Sequence, residues 1–202
     1  MRSDRTRAAA AVAVGEVGGW DAVWQLLPYV DDDADTELSK GAIDGLGALV
    51  YGGLHLWERH PVAWVLVAHL EAGRDDVWRT RNALDGLAQA LPGVRRLADT
   101  APSGEVRAAA LSLLDVDDPT DKNAHRDVRR FVRGLHDPHE AVRYEAALGL
   151  ARWVEAAGSL PAESGAVRER LAVLAASGSH SSPRLRQAAA DVLEAVAPDT
   201  RG

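Results

Sequence analysis

Residues 134–158 read GLHDPHEAVRYEAALGLARWVEAAG, and this stretch decides the fold. It divides into a turn and a helix. Leu135 and Asp137-Pro138 make the turn, and acidic Glu140 follows. Pro138 is expected in the first helical turn, where its missing N–H would be an orphan in any case. Asp137, just before it, is expected to accept a hydrogen bond from the free amides of that turn. Behind it, Val142, Ala146, Ala147, Leu150, Trp153 and Val154 keep a spacing near 3.6, the signature of a helix with one buried face. Small Ala146 and Ala147 let a neighbouring helix approach closely, while Val142, Leu150 and Trp153 fill the gaps between backbones. Ahead of the turn, Val128, Phe131, Val132 and Leu135 form a second apolar stripe. The stretch and its upstream neighbour therefore predict a helix–turn–helix unit.

The same pattern returns along the chain, which is the mark of a repeat architecture. With Val142–Ala151 as template, further copies start at residues 6, 38, 79, 106 and 185, at steps of 27 to 43 residues. Each copy after the first follows a candidate partner helix. Trp20, Trp24 and Leu27 form a stripe before the acidic turn at 31–35. Pro61 is read as opening a helix over Val62–Glu71, which Gly73 closes. Val94–Ala98 makes a short partner for the weakest copy, and Val167, Leu171 and Leu174 precede the turn at 180–183. Gly52–His60 reads as an irregular insertion and Val116–Lys122 as a polar acidic loop.

The motif Leu-x-Asp-Pro-x-x-x-Val-Arg followed by Ala-Ala-x-x-Leu-Ala resembles the HEAT repeat, a two-helix unit of about 40 residues. The resemblance implies a single all-α domain over residues 1–202. Its expected form is a short right-handed α-solenoid of about five HEAT-like helix pairs, with a half repeat at the N-terminus whose alanine and valine edge is half covered. It also implies that Arg143 bonds the aspartate between the helices and builds a ladder along the stack.

Composition agrees with stacked helices. Hydrophobic residues make up 47% of the 202 positions but aromatics only 5%, too few for a sheet core rich in rings and β-branched residues. The net charge of −7 and pI near 5.5 argue against generic affinity for phosphate backbones. The absence of cysteine excludes disulfides, thiol catalysis and cysteine zinc sites. Arginine far outnumbers lysine, as in GC-rich bacterial genomes. No apolar run approaches the roughly 18 residues of a membrane span. Arg2, Arg5 and Arg7 before Ala8–Val14 imitate a short signal peptide, but Asp4 interrupts the basic region and the stretch fits the repeat, so a cytoplasmic location is expected.

Several clusters invite chemical readings. His136-Asp137-Pro138-His139-Glu140 holds four potential ligands, yet a turn that caps a helix does not converge all four on a metal, so none is expected. Asp31–Glu37 imitates a calcium loop but places Thr36 where glycine is needed and Ala42 where glutamate is needed. Asp115, Asp117, Asp118 and Asp121 read as a solvated loop. Trp20, Trp24, Trp64 and Trp153 are expected in the core, with Trp57 and Trp78 at the surface. Trp20-Asp21 and Trp78-Arg79 resemble the aromatic and aspartate vocabulary of bacterial DNA glycosylases built from HEAT-like repeats. That makes a glycosylase of alkylated bases the alternative function. Arg126, Arg129, Arg130 and Arg133 form a basic face, expected to pair with Asp127 and Glu140. No phosphate loop, Gly-x-Ser-x-Gly elbow or His-Glu-x-x-His pair occurs, and no cofactor is expected.

The function expected is non-enzymatic: a protein-binding module, whether adaptor, assembly factor or immunity-type protein, that holds its partner in a concave groove of second helices. At 100° per residue from Val142, positions 144, 145, 148 and 152 point away from the core. Across the copies, position 148 is occupied by Val12, Asp44, Asp85, Ser112, Leu148 and Asp191, and position 144 includes Lys40, Arg81 and Tyr144. Lys40, Asp44, Arg81, Asp85, Tyr144, Leu148 and Asp191 are thus the candidate partner-binding residues. The aspartates suit a partner with a basic segment. Nucleic acid and membrane are not expected as partners, and the N-terminal edge is a candidate for self-association.

Overall fold

Helices follow one another without a strand in the computed structural model, which describes residues 2–31, 36–52, 54–74, 76–161, 164–176 and 181–197, with residues 2, 3, 56 and 164 described by their main chain only. The first is α1 (Arg2–Val17), which stands alone. Ten α-helices follow among the described residues, two by two along the chain: α2 (Trp20–Leu26) and α3 (Thr36–Gly52), α4 (Leu56–Ala72) and α5 (Val77–Leu84), α6 (Leu91–Thr100) and α7 (Gly104–Ser112), α8 (Lys122–Gly134) and α9 (Glu140–Ala157), α10 (Ser164–Ala175) and α11 (Pro183–Ala195). Every template copy begins on the second helix of its two or, for the first, on α1, and the copies starting at 79 and 106 run past the ends of α5 and α7. The chain groups into two compact units, residues 1–97 and 98–202.

In unit 1, α1 packs along α3 backbone to backbone. A Cβ added at Gly15 would stand 2.1 Å from the Gly45 carbonyl oxygen, and one at Gly41 would stand 2.5 Å from that of Ala8. Only glycines and alanines permit this approach, which accounts for the small residues that dominate both helices. Unit 1 also buries Ile43 and Leu46 of α3 and Leu66 and Leu70 of α4 fully. Near the end of α4, His69 is buried between two carboxylates. Its Nδ1 lies 2.7 Å from Asp31 and its Nε2 3.0 Å from Asp76.

In unit 2 the small residues serve a different purpose. The Phe131 ring on α8 lies where a Cβ at Gly149 on α9 would be, so the glycine makes a seat for the ring. Phe131, Leu111, Leu135, Leu150, Leu171 and Leu185 are fully buried in this unit. One arginine recurs at the start of each second helix and closes its own turn. Arg107 donates to the carbonyls of Ala101 and Pro102, Arg143 to those of Asp137 and Pro138, and Arg186 to that of Ser181. The Asp137 carboxylate is taken by Arg107 of the preceding pair, through Nε at 2.9 Å and Nη2 at 2.8 Å. The ladder rung is therefore Arg107–Asp137, while Arg143 reaches only the main chain of that aspartate.

Several boundaries differ from expectation. α4 begins at Leu56, inside the stretch read as an insertion, because Glu58 accepts from the His55 amide at 2.7 Å and starts the helix upstream of Pro61. Pro61 then sits within the helix. α5 ends at Leu84, so Asp85 is its C-cap and not a helical residue, and Gly86 follows at φ +75°. α9 begins at Glu140 with His139 as its N-cap. Asp137 thus accepts from the His139 amide at 2.8 Å in the turn itself, and Pro138 lies ahead of the helix. Gly73 closes α4 in the left-handed region, φ +64°, as expected.

Candidate functional site

A cleft of unit 1 lies between α3 and α5. Asp44, Gly47, Ala48 and Tyr51 share a face of α3 at helical spacing, and Trp78, Arg79, Asn82 and Ala83 face them from α5. They line a cleft of about 460 Å³. Its floor is tight, since a Cβ at Gly47 would lie 3.3 Å from the Ala83 Cα. Its rim carries Tyr51 and Trp78, which are 69% and 44% exposed. Arg79 and Asp44 form an ion pair across it. At the end nearest the α5 C-cap, the Tyr51 hydroxyl donates to Asp85 Oδ2 at 3.4 Å and Arg81 stands 3.7 Å from the same oxygen. Desolvation raises the Tyr51 phenol above its ordinary range, the Asp85 carboxylate adds to this, and Arg81 opposes it. Tyr51 therefore remains a neutral donor at physiological pH.

The cleft offers two aromatic faces, a paired carboxylate and guanidinium, and an exposed amide at Asn82. Such a set recognises side chains and main-chain groups of a polypeptide by stacking and hydrogen bonding. Among the described residues, no group of three or more His, Asp or Glu is placed to hold a metal ion.

The sequence-derived candidates distribute unevenly. Asp44 lines the cleft and Asp85 borders it with Arg81. Lys40 lies on the same helix as Asp44 but bonds its own neighbour Glu37 at 3.0 Å. Tyr144, Leu148 and Asp191 belong to unit 2. Tyr144 and Leu148 are half-buried on α9, as are Glu145 and Arg152, so this face is less open than the 100° rotation predicts. Arg152 reaches back to the Leu114 carbonyl at 3.2 Å. Asp191 is exposed and accepts from Gln187 at 2.6 Å. Tyr51, Trp78, Arg79 and Asn82 were not among the candidates as a set. The signal was present: Tyr51 follows Asp44 by seven residues, and Trp78 and Asn82 precede Asp85 by seven and three, so each pattern defines one helix face.

The tryptophans need correction. Trp153 is buried, but Trp64 is 75% exposed, Trp24 is 54% exposed and Trp20 is half-buried. On α2 the buried face is Ala22, Val23 and Leu26, because a leucine fits over Gly45 of α3 and an indole does not. Trp20 instead meets Trp24 and Trp57 edge-on, with ring centroids 5.0 and 4.9 Å apart. Trp57 and Trp78 are exposed, as expected. The two glycosylase-like dipeptides thus sit in different settings, Trp20 in this outer cluster and Trp78 in the α3–α5 cleft.

The other clusters resolve into local bonding. Asp137 is held by Arg107, and Glu140 accepts from the Ser182 amide at 3.3 Å. Asp115 and Asp118 accept from amides of their own loop, and Asp121 accepts from Asn123 to cap α8. Of the calcium-like loop, Asp32 to Asp35 lie outside the described residues, and Asp31 is bound to His69. On the basic face, Arg130 bonds Asp127 as expected, but Glu140 is not its second partner; Asp99 is. No described helix is long and apolar enough to cross a membrane.

No protein-family model and no curated protein sequence matches the chain. Among solved structures it is similar to an engineered protein from a structural-genomics programme, at 21% identity over 96% of this chain and 91% of that one, with a TM-score of 0.52. The fold is an α-solenoid repeat. Two designed armadillo repeat proteins also match, at 17% and 18% identity over 96% and 94% of this chain and 93% and 91% of theirs, each with a TM-score of 0.48. The second of these was solved in complex with the peptide (KR)4.

Proposed function

We propose that the chain is a non-enzymatic, HEAT-type protein-binding module that takes a segment of its partner along the second helices, with the α3–α5 cleft as its anchor point. The observation that carries this reading is the pairing of exposed Tyr51 and Trp78 over a cleft with small-residue walls. Exposed aromatics beside polar groups are the residues that concentrate binding energy at protein interfaces. Support for the HEAT assignment comes from the Arg107–Asp137 rung and the arginine that closes each turn in unit 2.

The partner we favour presents a basic segment. An incoming lysine or arginine stacks on Trp78 or Tyr51 and shares Asp44 and Asp85 with Arg79 and Arg81. Roles as adaptor, assembly factor or immunity-type protein all suit such a module, in a cytoplasmic setting.

The test titrates the full chain with a fluorescent Lys/Arg-rich peptide, an oligo-glutamate control and an alkylated DNA duplex. The basic peptide is expected to bind with salt-sensitive affinity and to lose most of it in the Tyr51→Ala/Trp78→Ala variant. Equal binding by parent and variant would remove the cleft from the reading. Retention of the duplex with release of a base would replace it by the glycosylase.

A further inference from the structure

The helix α8 is strongly polarised, and its charge opposes that of the whole. The protein carries a net −7, yet α8 holds five Lys and Arg residues against one Asp. Ala124, Asp127, Val128, Phe131 and Gly134 face the core. Lys122, Arg126, Arg129 and Arg133 run along the opposite side at i, i+4, i+7 and i+11, a row about 16 Å long at 1.5 Å rise per residue. All four are exposed. Arg126, Arg129, Arg130, Val132 and Arg133 line an open depression of about 360 Å³.

The cations are held in two ways. Asp99 fixes Arg130 at 2.9 Å and Arg133 at 2.7 Å, and buried Asp127 takes the remaining Arg130 nitrogen at 2.8 Å. Arg126 and Arg129 have no carboxylate within salt-bridge distance among the described residues. The face thus combines two oriented guanidinium groups with two that lack acidic partners. Adjacent positions in the row are about 4.5–6 Å apart along the helix axis, less than a Debye length of about 8 Å, so their fields reinforce one another.

We propose that this face of α8 docks an acidic, carboxylate-rich segment of a protein partner. Guanidinium forks match carboxylates in bidentate geometry. The row fits a helix with acids at i, i+4 and i+7, or an extended strand with acids at alternate residues. Nucleic acid suits it less well. No aromatic lines the depression, whereas single strands are bound on stacking platforms. Residues 98–202 contain 16 Asp and Glu against 13 Lys and Arg, so a longer polyanion would run onto like charge.

The experiment measures anisotropy of labelled oligo-glutamate, oligo-lysine and duplex DNA against the full chain. Oligo-glutamate is expected to bind, more weakly as salt is added, and R126E/R129E to reduce its affinity by at least about tenfold. R126K/R129K should restore part of it, and Tyr51→Ala/Trp78→Ala should leave it unchanged, which separates this face from the α3–α5 cleft. Circular dichroism checks each variant, and R126Q/R129Q takes the place of the reversed pair if that misfolds. Absence of oligo-glutamate binding, binding indifferent to the arginine variants, or tighter binding of duplex DNA overturns the proposal.

Discussion

Unit 1 shows most of its tryptophans and unit 2 buries its own. Five of the six tryptophans lie in unit 1, and four of those five are exposed; Trp153, the tryptophan of unit 2, is buried with Phe131. The difference follows from how each unit uses glycine. In unit 1 the glycines of α1 and α3 bring two backbones into contact, which leaves no room between them for a ring. In unit 2 Gly149 opens a seat that Phe131 fills. The same small-residue composition thus gives one stack that excludes rings to its surface and one that encloses them. Surface rings in unit 1 are then available for recognition.

This contrast is broken or sharpened most strongly by truncating the rings. Trp153→Ala and Leu150→Ala should each destabilise by about 2–5 kcal/mol in denaturant unfolding, as large-to-small core changes. Trp64→Ala, at an exposed position, should stay within about 0.5 kcal/mol. Similar losses for Trp64 and Trp153 would show that the two surfaces do not differ as described. Gly45→Ala comes next. Its new Cβ would meet the Ala11 carbonyl at 2.6 Å and the Leu26 side chain at 2.9 Å. A loss of about 1–3 kcal/mol is expected from overpacking, and an unchanged melting temperature would refute the backbone contact.

Much of the repeat was legible before the structure. The period near 3.6 in Val142–Val154 and its copies placed each second helix, because the side that must be buried repeats with the helix itself. The first helices were harder to read. The stripe Trp20, Trp24, Leu27 obeys helical spacing, but spacing alone does not say which of two faces finds room, and Ala22, Val23 and Leu26 won. The start of α4 was missed because Pro61 looks like an N-terminus, while the His55–Glu58 cap is the stronger local signal. In the candidate site, Asp44 and Asp85 were found by comparing equivalent positions. Arg79 and Tyr51 were not, because pairing between α3 and α5 depends on how two helices meet and not on either alone.

Charge offers a further comparison. The Arg107–Asp137 rung of unit 2 is 16% and 15% exposed, and the Asp44–Arg79 pair of unit 1 is 39% and 40% exposed. Burial alone would raise the Asp137 carboxyl, but Arg107 and the His139 amide outweigh it and hold the group below the usual carboxylate range. A folded value below the unfolded one stabilises above the unfolded range and loses that contribution as pH falls through the folded value. Asp137→Asn should therefore destabilise by about 1.5–3 kcal/mol at pH 7, the range for hydrogen bonds to charged groups. The gap to the parent should close as pH falls below about 4. A gap that stays constant into acid would mean that the Asp137 charge is not what ties the two pairs together.

The carboxylates of the cleft are expected to contribute little to stability. Replacing Asp44 and Asp85 together by Asn removes the carboxylates that face Arg79 and Arg81. Both pairs are exposed enough for solvent to screen them, so the change should lie between about 0 and 1 kcal/mol. Binding should respond differently. If the carboxylates receive a basic segment, the double variant weakens capture of the Lys/Arg-rich peptide, and the deficit shrinks at high salt as screening replaces the lost attraction. If the carboxylates serve only to neutralise Arg79 and Arg81, freeing these arginines leaves basic-peptide binding unchanged at every salt concentration. The Tyr51→Ala/Trp78→Ala variant then decides whether the rings alone carry the interaction. Loss with the rings but not with the carboxylates would retain the cleft as the contact surface and exchange its basic partner segment for an aromatic or aliphatic one.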